Sequence, residues 1–288
     1  MSKKTARPRS APDAKAHLVT QISKARAAVE DDDLSREERV HAARRRLKRA
    51  RSMLRILRPG LFAADYERHR DALRNAASDL SGTRDLDVIA GLAAHLKTHA
   101  PEKVHAALDE LSARLARKAE RAHTLDTPIA EVARRLALAE ADARAIETPA
   151  DSGRLFEEEF FRAYRSSRKA MDRARLGAGE HPFHEWRKRV KHHWHLARLI
   201  KGACATASKK TVRQLDELGE ILGLENDHAV LSATLLDDPL LAGDGPSADR
   251  VHDVIDARRS ALQRKALKRG EKLYGEPVRI VRARIDPD

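Results

Sequence analysis

Apolar residues recur every three or four positions along most of this chain, which is the period of an amphipathic α-helix. The segment from residue 12 to residue 30 shows this spacing at Ala16, Val19, Ile22, Ala25 and Val29. Similar patterns predict further helices over 61–80, 103–123, 128–147, 155–175, 208–222 and 247–274. No sequence segment alternates convincingly with a period of two, so the pattern predicts an all-α fold. The C-terminal VRIVRARI is the exception, for which we expect a short extended piece.

The most regular amphipathic segment is ERVHAARRRLKRARSMLRILRP, from Glu38 to Pro59. Helical winding at about 100° per residue produces a polar, mainly basic face of His41, Arg44, Arg45, Lys48, Ser52 and Arg55. The opposite face is apolar and contains Leu47, Ala50, Met53, Leu54 and Leu57. Ser35 and Glu38 have the S-x-x-E form of a capping box, which predicts the start of the helix. Pro59-Gly60 predicts its end.

The same two-faced pattern returns in FHEWRKRVKHHWHLARLIK, 143 positions further on (184 − 41). The polar face of this second segment consists of His184, Arg187, Lys188, Lys191, His195 and Arg198. Its apolar face stays in register too, because Leu47 corresponds to Val190 and Leu57 to Ile200. A recurrence of both faces at one offset indicates an internal duplication.

The duplication predicts two helical repeats joined by a short linker. We divide the chain into a disordered basic arm (1–11), a first repeat (12–147), a linker (148–153), a second repeat (154–275) and a C-terminal tail (276–288). Residues 223–227 (GLEND) should interrupt the helices of the second repeat, as the segment before Arg84-Asp85 interrupts those of the first.

Composition narrows the function classes. With 41% hydrophobic and 35% charged residues in 288, the chain resembles a folded, water-soluble protein. Its net charge of +13 favours polyanionic partners: nucleic acid, an anionic membrane surface or a phosphate polymer. The single cysteine, Cys204, excludes an internal disulfide and suits a reducing compartment, so we expect a cytoplasmic protein. No apolar run approaches the roughly 18 residues of a membrane span, so no membrane partner is expected.

The two basic faces are candidates for anion binding. They lack the acidic residues at i+4 that usually neutralise an exposed helix, although a solvated surface remains the alternative. If both faces turn inward, their cations repel one another, and a multivalent anion relieves the repulsion. Arginine offers forked donors to phosphate oxygens, lysine a point charge and histidine a pH-dependent one. Asp85 and Asp227, 44 (85 − 41) and 43 (227 − 184) positions after the two histidines, are expected to orient these cations.

Sequence signals for catalysis and metal binding are weak. The chain contains no G-x-x-x-x-G-K-S/T, G-x-G-x-x-G or H-E-x-x-H motif, so we expect neither enzymatic activity nor a cofactor. His95 and His99 are four apart, as metal ligands can be, but have no obvious partner. His192, His193 and His195 diverge on the helical wheel, and we expect no metal site there.

Several motifs together resemble the CHAD domain, named for a conserved histidine α-helical domain. They are His41-x-x-Arg44 with its basic run, His184-Glu185-x-Arg187-Lys188-x-x-Lys191, Arg84-Asp85-Leu86-Asp87-Val88 and Asn226-Asp227. The resemblance covers about residues 12–275. It implies two antiparallel four-helix bundles related by a pseudo-twofold axis, with a basic central cavity. The sequence departs from the family pattern at His192 and His195, and it contains no E-x-E-x-K triphosphatase signature.

The resemblance also implies a function, the binding of inorganic polyphosphate by a stand-alone module, associated with polyphosphate granules. The implied ligands on the two basic faces are His41, Arg44, Arg45, Lys48, Arg55, His184, Arg187, Lys188, Lys191 and Arg198. Further candidates on the first helix of each repeat are Lys24, Arg165, Arg168 and Lys169.

Two other functions are compatible with the charge. A nucleic-acid-binding protein would also be basic, although an aromatic content of 3% leaves few rings to stack on bases. A protein that binds duplex nucleic acid through its phosphates alone needs no such aromatic rings. An enzyme acting on phosphoanhydrides is the third possibility, and released phosphate would distinguish it from a binding protein.

Overall fold

The structure is a computed structural model that describes residues 13–80, 84–123, 129–147, 152–179, 181–200 and 207–285. The helices before the predicted linker are α1 (Ala14–Glu30), α2 (Arg36–Leu57), α3 (Ala63–Asp79), α4 (Arg84–Leu96), α5 (His105–His123) and α6 (Ile129–Arg144). Those after it are α7 (Ser152–Arg175), α8 (Pro182–Ile200), α9 (Lys209–Asp237), α10 (Pro246–Tyr274) and α11 (Val278–Ile285). These described segments contain no β-strand, so the all-α prediction is confirmed.

The helices pack as two groups that share one core. In the first half, α1 lies against α2 and α6, and α3 contacts α2 and α6. In the second half, α8 packs against α7 and α9, and α10 against α9 and α7. The α4–α5 hairpin leaves the first group and covers the C-terminal half of α9 and the beginning of α10, where a second apolar cluster forms. The internal duplication itself stays a prediction.

Local sequence signals position the basic helix α2. The Ser35 hydroxyl accepts a hydrogen bond from the backbone N–H of Glu38 at 3.3 Å, and the Glu38 carboxylate accepts one from the Ser35 N–H at 3.0 Å. This reciprocal arrangement is the predicted capping box, and it satisfies donors at the helix start. The α2 helix ends at Leu57, just before Pro59-Gly60 as predicted.

Two predicted elements are wrong. Residues 223–227 do not break the chain, because α9 is continuous from Lys209 to Asp237. Buried leucines on both sides, including Leu222 and Leu231, hold the helix together across Gly223, so packing overrides the low helix propensity of glycine. The VRIVRARI segment is the helix α11 and not an extended strand, since Val278 and Val281 pack side by side on the core at helical spacing.

Other predicted segments fall partly outside the described residues. The basic arm 1–11 lies outside them, as do residues 148–151 of the linker. Ser152 and Gly153, assigned to the linker, instead begin α7. Within the described part of the chain, no helix combines the length and apolar character needed to cross a bilayer.

The core is closely packed where α8 meets α10. Trp186 is 0% exposed, and a Cβ added at Gly270 would come within 2.6 Å of its Cζ2 and 2.7 Å of Met171 Sδ. The indole therefore occupies space that only glycine leaves free at position 270. This contact fixes α8, and with it the basic face that α8 carries.

Candidate functional site

The two basic helices meet where the halves of the molecule join. The α2 helix contacts both α7 and α8. A cavity of about 850 Å³ opens beside this crossing, and helices from both halves line it. Its described lining consists of Arg44, Lys48, Val88, Ile89, Gly177, Gly179, His181, Pro182, Phe183, His184, Arg187, Glu225, Asn226, Asp227, Ala229, Val230, Ala233, Arg259 and Gln263.

Only some of the predicted site residues reach this cavity. Those in its described lining are Arg44, Lys48, His184 and Arg187. Lys24, Arg55 and Arg198 line three other depressions, which share no described lining residue with the cavity. The remaining candidates are outside the described lining: His41, Arg45, Lys188, Lys191, Arg165, Arg168 and Lys169. Whether these residues contact polyphosphate stays a prediction.

Two of the cations outside the lining are already paired. Lys188 lies 2.6 Å from the Glu185 carboxylate on its own helix. Lys191 lies 3.0 Å from Glu220 on α9, and its ammonium is also 5.1 Å from the centre of the Trp194 ring. A face without acidic neighbours was the premise for including these lysines. That premise concerned the i+4 spacing within one helix, and folding adds an acidic partner for Lys191 from another helix, α9.

Two of the three arginines in the described lining of the cavity, Arg44 and Arg187, are held in different ways. Arg44 donates a hydrogen bond from Nη1 to the backbone oxygen of Leu80 at 3.0 Å, which directs its side chain. Arg187 lies against Gly223 of α9, where an added Cβ would be 3.8 Å from Arg187 Nε. That Nε is buried and has no hydrogen-bond partner among the described residues. A buried guanidinium donor that the described residues leave unsatisfied favours an anionic ligand.

The histidine of the second repeat is oriented by an amide. His184 donates from Nδ1 to Asn226 Oδ1, and Asn226 Nδ2 donates to Asp227 Oδ1 at 3.4 Å. We expected Asp227 to orient the cations, but Asn226 makes the direct contact and Asp227 acts one step behind it. The continuous α9 helix places Asn226 toward α8. Asp85, the corresponding residue of the first repeat, has a side chain outside the described part of the structure.

Sequence reasoning missed the contribution of α10 and part of α9. Glu225 is 2% exposed and accepts hydrogen bonds from Gln263 Nε2 at 2.9 Å and Arg259 Nη2 at 3.4 Å. All three residues line the cavity. Arg259 and Gln263 are four apart and so share a helix face, which was a detectable signal. Their approach to Glu225, more than thirty positions away in sequence, was not detectable from the chain alone.

The described lining of the cavity is cationic on balance. Arg44, Lys48, Arg187 and Arg259 face the carboxylates of Glu225 and Asp227, with His181 and His184 beside them. Because the lining groups are partly withdrawn from water, a bound anion is attracted more strongly than at an open surface. The arrangement therefore suits a ligand with several closely spaced negative charges.

The histidine cluster of α8 has a structural role. His192 hydrogen-bonds Glu159 through Nε2 at 2.9 Å, and His193 contacts the Tyr274 hydroxyl through Nδ1 at 3.0 Å. Burial lowers the pKa of His193 to about 3, with a small contribution from nearby His192. Across the described residues, no group of three or more His, Cys, Asp or Glu side chains could hold a metal ion.

These buried histidines predict a pH dependence of stability. The unfolded chain binds a proton at His193 below about pH 6.5, whereas the folded state excludes it until about pH 3. The free energy of unfolding should therefore fall as the pH drops through 6.5, by about 1 kcal/mol for His193 between pH 7 and 5.5. Urea titrations of wild type and His193→Gln measure this, and the variant should show the shallower slope. Equal slopes would contradict the prediction.

Comparisons with known proteins agree with this architecture. Residues 14–236 match the family model of the CHAD domain. The fold is similar to the crystal structure of the CHAD domain from the plant Ricinus communis, with a TM-score of 0.54 and 19% sequence identity over 98% of this chain and 96% of that chain. At this identity the likeness concerns the fold. A comparison with curated proteins found no match.

Proposed function

This chain belongs to the CHAD domain family, and from that premise we propose that it binds inorganic polyphosphate, without catalysis, in the cavity beside the α2–α8 crossing. One observation carries the proposal. Cations from both halves of the chain, Arg44 and Lys48 on α2 and Arg187 on α8, converge on one cavity of about 850 Å³. That volume is in the range of ligand pockets in general, roughly 300–1,000 Å³.

Polyphosphate is the polyanion that best matches these groups. Its charges repeat along a narrow, flexible chain, so successive phosphates can reach cations on different helices. An arginine guanidinium forms forked hydrogen bonds with two phosphate oxygens, and Lys48 supplies a mobile point charge. His184 is oriented through Nδ1 by Asn226, and its protonated ring would donate to a phosphate oxygen from Nε2.

The state of the carboxylates supports binding over catalysis. Glu225 accepts hydrogen bonds from Arg259 and Gln263, and Asp227 accepts one from Asn226. A general base must be within hydrogen-bond reach of the proton that it removes. Both carboxylates of the described lining are instead engaged with protein donors. We propose no cofactor and place the binding in the cytoplasm, at polyphosphate granules.

Binding should stabilise the fold by mass action. A ligand at 100 times its dissociation constant adds about 2.7 kcal/mol, which corresponds to a rise in melting temperature of about 4–5 °C for a chain of this size. Long-chain polyphosphate should produce this rise at a phosphate concentration at which orthophosphate has little effect. Thermal unfolding followed by circular dichroism measures it. An equal rise with both anions would refute a multivalent site.

Two further measurements separate the alternatives. Long-chain polyphosphate should displace duplex DNA from the protein, and DNA should fail to displace polyphosphate at equal phosphate concentration. The reverse order would favour the nucleic-acid function. Incubation with polyphosphate and a divalent cation should release less than one phosphate per protein, whereas repeated turnover would show an enzyme acting on phosphoanhydrides.

A further inference from the structure

A second, smaller depression lies at the α2–α8 crossing, apart from the cavity. It has a volume of about 200 Å³ and is lined by His17, Gln21, Arg49, Met53, His195, Arg198 and Leu199. The described lining contains two arginines, two histidines and an amide, but no carboxylate. None of these residues belongs to the described lining of the cavity.

The two arginines approach each other without an acidic partner. Neither Arg49 nor Arg198 forms an ion pair with a carboxylate in the described part of the chain. Burial lowers the pKa of Arg49, and so do the guanidinium groups of Arg198, Arg46 and Arg45. The fold thus holds two like charges near each other, with Arg49 partly desolvated and Arg198 exposed, an arrangement that an anion would stabilise.

Packing holds one of these arginines in position. The Arg198 guanidinium carbon lies 4.7 Å from the centre of the Trp194 ring, in a cation–π contact. Lys191, on the same ring at 5.1 Å, is engaged with Glu220. The buried Gln21 Oε1 has no hydrogen-bond partner among the described residues. It can accept from a P–O–H group of hydrogen phosphate.

The other side of the crossing holds a related depression that carries its own carboxylate. It has a volume of about 130 Å³, and its described lining includes Arg55, Arg58, Glu159, Arg162, Arg189 and His192. Glu159 accepts from His192 at 2.9 Å and from Arg162 at 2.5 Å. Glu159 therefore neutralises one of the four arginines in this described lining, and its carboxylate would repel an anion placed beside it.

The two depressions use corresponding positions of the repeated pattern. Arg49 corresponds to His192, and Arg55 to Arg198, at the offset of 143 (192 − 49; 198 − 55). His17 corresponds to Glu159 at an offset of 142 (159 − 17), which also aligns the buried Leu18 with Phe160 and Ile22 with Tyr164. A carboxylate therefore stands in one depression where histidine stands in the other.

We propose that the Arg49–Arg198 depression is a separate site for a single phosphate group. Its ligand class is a tetrahedral oxyanion, either inorganic phosphate or the end group of a polyphosphate. Two guanidinium groups supply forked donors, and the missing carboxylate leaves their charge for the ligand. Phosphate binding in this depression does not depend on polyphosphate binding in the cavity. Either proposal can therefore fail while the other holds.

Trp194 provides a fluorescence signal for phosphate binding at this site. The chain has two tryptophans, and Trp186 is fully buried in the core, whereas Trp194 contacts Arg198. Titration with sodium phosphate, and separately with tripolyphosphate, should change tryptophan fluorescence, and Trp194→Phe should remove that change. Isothermal titration calorimetry gives the affinity in both titrations.

Matched variants test the charge argument. His17→Glu copies the carboxylate of the other depression and should weaken phosphate binding at least tenfold, whereas the neutral His17→Gln should retain it. Arg198→Gln should cause a similar loss. Arg58→Gln, on the carboxylate-bearing side, is the control and should bind like wild type. Circular dichroism verifies that each variant is folded.

The opposite results overturn the proposal. If folded His17→Glu and Arg198→Gln both bind phosphate as wild type does, the depression is not a phosphate site. If Arg187→Glu, a cavity variant, abolishes the fluorescence change, the response originates in the cavity. A response to tripolyphosphate alone, lost equally in Arg187→Glu and Arg198→Gln, would show one continuous site and would also refute a separate one.

Discussion

Replacing Arg187 with glutamate should lower the affinity for long-chain polyphosphate by at least about 100-fold. Arg187 lines the cavity beside Gly223, and its buried Nε has no partner among the described residues. The variant would remove forked, charge-assisted hydrogen bonds worth about 1.5–3 kcal/mol each. It would also place a third carboxylate near Glu225 and Asp227. Isothermal titration calorimetry at fixed ionic strength measures the change.

A control must change the net charge equally without touching the cavity. Arg173→Glu does so, because Arg173 is exposed near the end of α7 and is outside the described lining. Its affinity should remain within about threefold of wild type, because screening weakens the influence of a distant surface charge. If both variants lose affinity equally, binding depends on the overall charge, and the cavity proposal fails.

Replacing Trp186 with alanine should lower the free energy of unfolding by about 3–5 kcal/mol. Its indole is 0% exposed and occupies the space above Gly270, next to Met171. The buried Nε1 has no hydrogen-bond partner in the described residues, so packing accounts for its contribution. Alanine would leave a cavity between α8 and α10 that the surrounding helices fill only in part. Urea unfolding measures the loss.

Trp194→Ala is the matched control on the same helix. Trp194 is partly exposed and contacts Arg198 and Lys191, so its removal opens no closed cavity. Its loss of stability should be less than half that of Trp186→Ala. Equal losses would show that burial against Gly270 does not determine the role of Trp186. In a separate measurement, the polyphosphate affinity of folded Trp186→Ala shows how far the contact between Trp186 and Gly270 positions the basic face of α8.

Local signals explain why much of the fold could be predicted. Three kinds of signal each act over a few neighbouring residues: the helical spacing of apolar residues, the Ser35–Glu38 capping box and Pro59-Gly60. Their structural effects can therefore be predicted from the sequence. The same signals failed at Gly223, where a glycine suggested a break. Buried leucines on either side decide that position, and their burial depends on helices distant in sequence.

The candidate site was predictable only as a set of charges. The alternating faces of α2 and α8 identified Arg44, Lys48, His184 and Arg187, all of which reach the cavity. The same faces could not show that Arg55 and Arg198 belong to other depressions. A helical wheel gives the direction of a side chain around one axis, whereas a cavity depends on how two axes cross.

The amino-acid sequence by itself determined the all-α class, the positions of most helices and the two amphipathic basic segments, because these follow from spacing and charge along the chain. Only the tertiary structure decided which cations converge, that Asn226 orients His184, that Glu220 pairs with Lys191 and that Arg259 and Gln263 join the cavity. These contacts join residues dozens of positions apart. Their geometry is set by the packing of whole helices, which no local pattern encodes.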